Sequence, residues 1–238
     1  MAIRLKRHRA KTLTSHKRWS NHMTFWTPRF QRPMLCLIAC LAWVLSGMAQ
    51  VAYAADEAPD AFIKRLSTEM LDLVKTDPAL KNGDIQRING MVDARVMPHL
   101  NFQRMTAAAV GPGWRQATPE QKARLQEEFK LLLVRTYSGA LTQIKDHTIV
   151  VKPLRAAEGD AEVLVRSEIR GSAEPIQLDY RLEKAPGQGA GWKIFNLNVM
   201  GVWLVDTYRS QFAQEINAKG VDGLILSLAE RNKSNTRK

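Results

Sequence analysis

Few groups in this chain have the type and spacing to do chemistry. Beyond residue 55 there are two histidines, His99 and His147, and no cysteine. The two histidines fall in different elements, so they offer neither a metal pair nor a nucleophile's base. GxSxG, HExxH and Walker-type patterns are missing from the sequence. GPGWRQ and PGQGAG contain glycines, but neither follows a strand and opens a helix as a dinucleotide loop does. Only carboxylates remain. Glu127 and Glu128 lie on the polar side of a helical pattern. Asp179 and Glu183 lie on the outward side of an alternating one. All four are expected in solvent. Asp206 is the one acid placed to act as a base in an enclosed space, and an ordinary helix-surface role competes with that reading. The chain is therefore read as non-enzymatic, with no catalytic residue and no metal ligand.

Apolar residues in unusual places suggest binding instead. The strand-like GWKIFNLNVM runs straight into GVWLVDTYRSQFAQEI without a polar loop. Val202 and Trp203 stand where a chain normally turns polar, and Trp114 follows Gly111, Pro112 and Gly113 in an expected loop. Large apolar side chains at such rims flank a groove or a partner surface more often than a closed core.

Charge and length limit the partners. The 238 residues carry 35 basic and 23 acidic groups, net +12. Nine of the bases and none of the acids precede residue 55, so the remainder carries 26 against 23, or +3. Nucleic-acid binding argued from the total charge would rest on the leader alone, and none is expected. The basic start, the uncharged run Met34–Ala55 and the Ala52-Tyr53-Ala54 pattern describe a signal peptide over residues 1–54. Translation from Met1, Met23 or Met34 is compatible with it. A retained anchor is the first rival, weakened by Ser46, Gly47, Gln50 and Tyr53. A lipoprotein box at Cys40 is the second, weakened by the apolar residues that continue past it. Both cysteines, Cys36 and Cys40, lie in this leader. Residues 55–238 are expected to form one exported domain in the periplasm.

The elements that would position a binding site can be read from periodicity. Phe62, Leu66, Met70, Leu73 and Val74 mark a first helix, interrupted at Pro78 and Gly83. A second helix is expected over 84–96, ended by Pro98, and a short third is closed by Gly111. Thr118, Pro119 and Gln121 start a long helix with a capping box. Its stripe runs through Leu125, Phe129, Leu132, Leu133, Tyr137, Leu141 and Ile144. Alternation then predicts four strands in HTIVV, EVLVRSEIR, IQLDYRLEK and GWKIFNLNVM, an antiparallel meander. A helix from the Gly201 corner is stopped by Gly220, with Asp222 capping a last one. The class is α+β, with a curved antiparallel sheet of about four to five strands wrapped around the long helix.

Two stretches resemble a known family. GWKIFNLNVMGVWLVDTYRSQFAQEINAKGVDGLILSL is similar to the closing segment of the MlaC, or toluene-tolerance, family. AAVGPGWRQATPEQKARLQEEFKLLLVRTYSGAL is similar to its central stretch, and the likeness spans roughly Ala58 to Leu228. The chain departs from it at Trp203, where serine is common, and at Asn101, where aspartate is common. The resemblance implies an NTF2-like cone with an apolar cavity, and a periplasmic phospholipid carrier. Its implied partners are an inner-membrane ABC transporter complex and an outer-membrane lipoprotein–porin complex. It implies no cofactor; bound phospholipid is cargo. The inward faces expected to wall the cavity carry Val92, Val96, Leu132, Leu133, Tyr137, Val165, Leu178, Tyr180, Phe195, Val202, Leu204 and Tyr208. An NTF2-like enzyme on a small apolar substrate and a ligand-free adaptor with a filled core are the alternatives.

Overall fold

A computed structural model describes residues 57–234 except Ala156, Glu158 and Ala173. The expected leader and the last four residues lie outside the described residues. Among the described residues, no helix is long and apolar enough to cross a membrane.

Helix α1, Pro59–Thr76, begins with proline in its first turn and buries Phe62, Ile63, Leu66, Leu71 and Val74 along one stripe. The expected break after it contains a single helical turn, α2, Pro78–Lys81, capped by the Asp77 carboxylate. Helix α3, Ile85–Met91, starts at the Asp84 cap and is shorter than its sequence pattern. It widens into a π-helical turn, Val92–Val96, and then a tight turn, Met97–His99. Pro98 has no N–H for the carbonyl four residues back, so the regular ladder loosens ahead of it. Helix α4 is Phe102–Val110, capped by Asn101. The turn α5, Gly113–Gln116, carries Trp114, where a loop was expected. Helix α6, Pro119–Leu141, has both hydrogen bonds of the Thr118–Gln121 capping box.

Five strands follow: β1 Thr148–Val151, β2 Glu162–Arg170, β3 Ile176–Lys184, β4 Trp192–Val199 and β5 Val202–Trp203. They form one antiparallel sheet in chain order, β1-β2-β3-β4-β5. The register assigns the faces. Val163, Val165, Ser167 and Ile169 of β2 oppose Leu182, Tyr180, Leu178 and Ile176 of β3, and this is the inner face. Leu182, Tyr180 and Leu178 oppose Ile194, Leu197 and Val199 of β4, and Val199 opposes Val202. The register slips between Arg181 and Leu182, which leaves Phe195 as the extra residue of a bulge.

The corner at Gly201 is therefore not the start of a helix. Met200 (φ +52°) and Gly201 (φ +86°) form a two-residue turn with positive φ at both positions, and Val202–Trp203 pairs back onto β4. A non-glycine residue in that region is strained by about 1 kcal/mol. Helix α7, Leu204–Ser234, starts directly after β5 and is interrupted at Gly220 (φ +70°). Asp222 does not cap its second half as expected; its carboxylate accepts from the Gln121 side chain at 2.7 Å.

The interior is divided. One buried cluster joins α4, α6 and α7 around Phe102, Phe129, Tyr208 and Phe212. Another sets Phe62, Ile63 and Leu66 of α1 against Val163, Val165, Tyr180, Leu182, Trp192 and Ile194. A smaller one gathers Leu71, Val74, Leu80, Ile88, Val134 and Ile144. The sheet thus receives α1 on its inner face, whereas α6 packs on α3, α4 and α7. That corrects the expectation of a sheet wrapped around the long helix. The first half of the α6 stripe, Leu125, Phe129 and Leu132, is spent on other helices, while Leu141 and Ile144 at its end reach a cluster that includes Ile149 and Ile169 of the sheet.

Candidate functional site

The register and the divided interior decide which of the twelve expected wall residues share a space. Val165 and Tyr180 are buried on the inner face under α1. The Tyr180 hydroxyl lies 3.3 Å from the Ser67 hydroxyl, and burial raises its pKa. Leu178 is half-buried on the same face. From the helices, Leu132 and Tyr208 are buried in the first cluster. The Tyr208 ring meets Phe129 edge-on at 5.1 Å. Leu133 is a half-buried neighbour of that cluster, and Val92 a half-buried neighbour of the third. Val96 and Tyr137 are also half-buried, and burial, with Tyr208 close by, raises the Tyr137 hydroxyl pKa.

Incompletely covered residues flank each cluster: Leu178 beside the sheet cluster, Leu133 beside the helical one, Val92 beside the small one. Leu100, also half-buried, borders two of them. Val92 and Val96 bound the π-helical turn, whose wider hydrogen bonding shifts side-chain direction relative to a regular helix. Half-covered apolar groups of this kind are where a hydrocarbon ligand gains contact without displacing a packed core.

Phe195 does not belong to this wall. As the bulged residue it leaves the inner face and lies under the Arg104 guanidinium, 3.6 Å from the ring centroid. Arg104 also pairs with Glu183 and, at 2.7 Å, with Glu162, both outward by register. Simple alternation along GWKIFNLNVM missed the bulge. Trp203 is likewise turned outward: it opposes Asn198 and stacks on Arg181 at 4.2 Å. Val202, its neighbour, shares the inner side with Val199 and is 47% exposed at the end of the sheet, while Leu204 is buried. Trp114 packs on the helical cluster beneath Lys122, away from that end.

The missing polar loop is replaced by two asparagines that sequence reasoning passed over. Asn198 accepts a hydrogen bond from the Gly201 N–H at 2.8 Å and holds the turn. Asn196 accepts from the Val205 N–H at 3.2 Å, which satisfies an orphan donor at the start of α7. Both are buried on the outer face. Their alternation in NLN was the only available sign.

Glu127 is exposed as expected and Glu183 half-buried, but two of the acids expected in solvent are buried. Glu128 is 4% exposed, bonded to Asn232 at 2.7 Å and paired with Arg124 at 2.7 Å. Asp179 is 5% exposed on the central strand and accepts from Gln177 at 2.7 Å. Its outward register keeps it off the inner face. Asp206 is exposed beside Asn196 and Arg181 and does not face inward. His99 stacks on Phe62 at 5.4 Å, and burial lowers its pKa, aided by Arg65 and Lys193. His147 accepts from the Lys145 N–H at 3.1 Å. No group of three metal-ligating side chains occurs among the described residues. Two hollows lie elsewhere. One of about 540 Å³ is lined by Lys152, Pro153, Arg155, Leu164 and Arg166. One of about 370 Å³ is lined by Lys75, Lys81, Thr142, Ile144, Lys145 and Asp146. Neither is lined by Leu178, Leu133, Val92 or Leu100.

Known proteins share this architecture. The family described as MlaC protein matches residues 64–230. Toluene tolerance protein Ttg2D of Pseudomonas putida is 36% identical over 110 residues, 45% of this chain and 49% of that protein. The match thus spans about half the length of that relative. The intermembrane phospholipid transport system binding protein MlaC of Haemophilus influenzae is 18% identical over 178 residues, 74% of this chain and 83% of that one. A phospholipid-binding protein of Ralstonia solanacearum, solved in complex with a phospholipid, is 43% identical with a TM-score of 0.71. That likeness covers 74% of this chain and 98% of the other.

Proposed function

The chain belongs to the MlaC family, and from that premise we propose that it is a phospholipid carrier. In this reading it is exported to the periplasm and takes acyl tails along the half-buried seam between sheet and helices. It hands them between an inner-membrane ABC transporter complex and an outer-membrane lipoprotein–porin complex, which maintains outer-membrane lipid asymmetry. It performs no catalytic step, and the energy comes from the transporter.

The likeness to a phospholipid-complexed structure over nearly that whole chain is the observation that carries this reading. Physical chemistry supplies the need. Each methylene buried from water gains about 0.8 kcal/mol, so two acyl chains amount to roughly 20 kcal/mol or more. A free lipid does not cross water against that term. A carrier must cover the tails yet release them. A divided interior suits that task, because clusters can separate without any one of them being broken.

Organic-solvent extraction of the purified protein followed by mass spectrometry tests the proposal. The expected result is a phospholipid at near one per chain. A folded protein that emerges free of lipid, and takes none up from vesicles, supports the adaptor reading instead.

A further inference from the structure

The turn Met200–Gly201 departs from the usual chemistry of its geometry. Two-residue hairpins with positive φ at both positions favour Asn-Gly and Asp-Gly, because their side chains tolerate the left-handed region. Here the first position holds methionine at φ +52°. Its side chain does not compensate by packing, since Met200 is 70% exposed. The backbone is well tied without it: the Met200 N–H donates to Gln177 O at 2.9 Å, and the Gly201 N–H donates to Asn198. An asparagine at position 200 would keep both bonds and relieve the strain. The methionine is therefore a stability defect within the fold, and strain of this kind persists where the exposed group has work outside it.

Its position indicates that work. Val199 and Val202 oppose each other directly behind the turn, and Val199 opposes Leu178 of the seam. Leu178, Val199 and Val202 are successive register neighbours on the inner face, and Met200, 70% exposed, stands in the turn that joins the last two. Methionine is flexible and polarizable, suited to transient contact with hydrocarbon of varied shape.

We propose that Met200, with Val202, forms the threshold across which acyl tails enter and leave, so that its occupant is a lipid tail in transit from a bilayer. This rests on the carrier reading above. The threshold lowers the barrier to exchange without setting how much lipid the protein holds at equilibrium.

The test compares wild type, Met200→Asn, Met200→Leu and Leu226→Asn. Leu226 is another exposed apolar residue, 64% exposed, on α7. Transfer of fluorescent phosphatidylglycerol between vesicles is timed, and bound lipid is measured by extraction. For Met200→Asn the unfolding midpoint should rise by roughly 2–4 °C. Its transfer should be about tenfold slower, the scale of one lost apolar side-chain burial in the rate-limiting encounter, while equilibrium loading stays as in wild type. Met200→Leu should retain transfer, and Leu226→Asn should be silent. Wild-type transfer by Met200→Asn, with loading intact, overturns the threshold. Equal slowing by Leu226→Asn also overturns it, as a general surface effect. Absence of loading in every protein instead overturns the carrier reading, and so remains distinguishable.

Discussion

Under the proposed function, a single side chain, Leu178, should decide whether the inner face admits a hydrocarbon tail. Leu178 is half-buried on the inner face, between Ser167 and Val199 in the ladder. Leu178→Arg would bring a charge into that row, where its ladder partners, Ser167 and Val199, carry none. An unpaired charge in apolar surroundings is costly, so the guanidinium should turn toward water and block the row. Extraction from this variant should recover less than about a tenth of the wild-type lipid, with an unchanged far-UV spectrum. Survival of loading would remove Leu178 from the wall. His99 sets a pH limit on stability. Burial, then the charges of Arg65 and Lys193, keeps its folded pKa below the ordinary 6.5, with Glu69 and Glu57 opposing. A depressed histidine stabilises the fold fully above 6.5, and that contribution is lost as pH falls toward the folded value. The unfolding midpoint should therefore decline on acidification below about pH 6.5, and His99→Gln should flatten the decline. An unchanged slope in that variant would assign the decline to other groups.

At the scale of elements, the elbow between β4 and α7 depends on Asn196 more than on its apolar residues. Asn196 supplies the acceptor that a loop would otherwise provide for the first turn of α7. Asn196→Ala should destabilise the protein by about 1–2 kcal/mol, read as a lower midpoint in urea. A midpoint within error of wild type would mean that water replaces the cap. Most element positions were legible in the sequence, because caps and periodicity are local. Pro59, the Thr118 capping box, Gly111 and Gly220 all punctuate the chain where expected. The misreadings came from long-range choices. Nothing local tells which helix covers a sheet, so α6 was assigned to a face that α1 occupies. The bulge at Phe195 depends on the register with β3 and breaks the period of two without a glycine or proline to mark it. Val202–Trp203 looked helical because pairing onto β4 requires the left-handed turn at Met200, a residue that seldom signals one. Glu128 looked solvated because its partner, Asn232, lies 104 residues away. Among the expected wall residues, Leu178 and Tyr180 share the inner face that alternation along β3 predicts, whereas how far each is covered depends on what packs above it, which no local pattern encodes.

Across the whole molecule, the order of synthesis runs against the order of packing. Phe62 and Ile63 are completely buried, and the cluster that buries them draws on Val163, Val165, Tyr180, Leu182, Trp192 and Ile194. The Trp192 indole N–H even reaches back to donate to the Glu57 carbonyl at 3.1 Å. A nascent chain therefore holds the sticky side of α1 uncovered until some hundred later residues have emerged. The sheet itself zips strand by strand from neighbours, so the wait is for length alone. A fragment that stops before β2, such as residues 55–158, should collect as insoluble material, while one that reaches Ser234 should stay in solution; sedimentation of the two after expression separates these outcomes. The same dependence makes α1 the natural client of a holding chaperone, which would shield Phe62 and Ile63 until the sheet arrives to replace it.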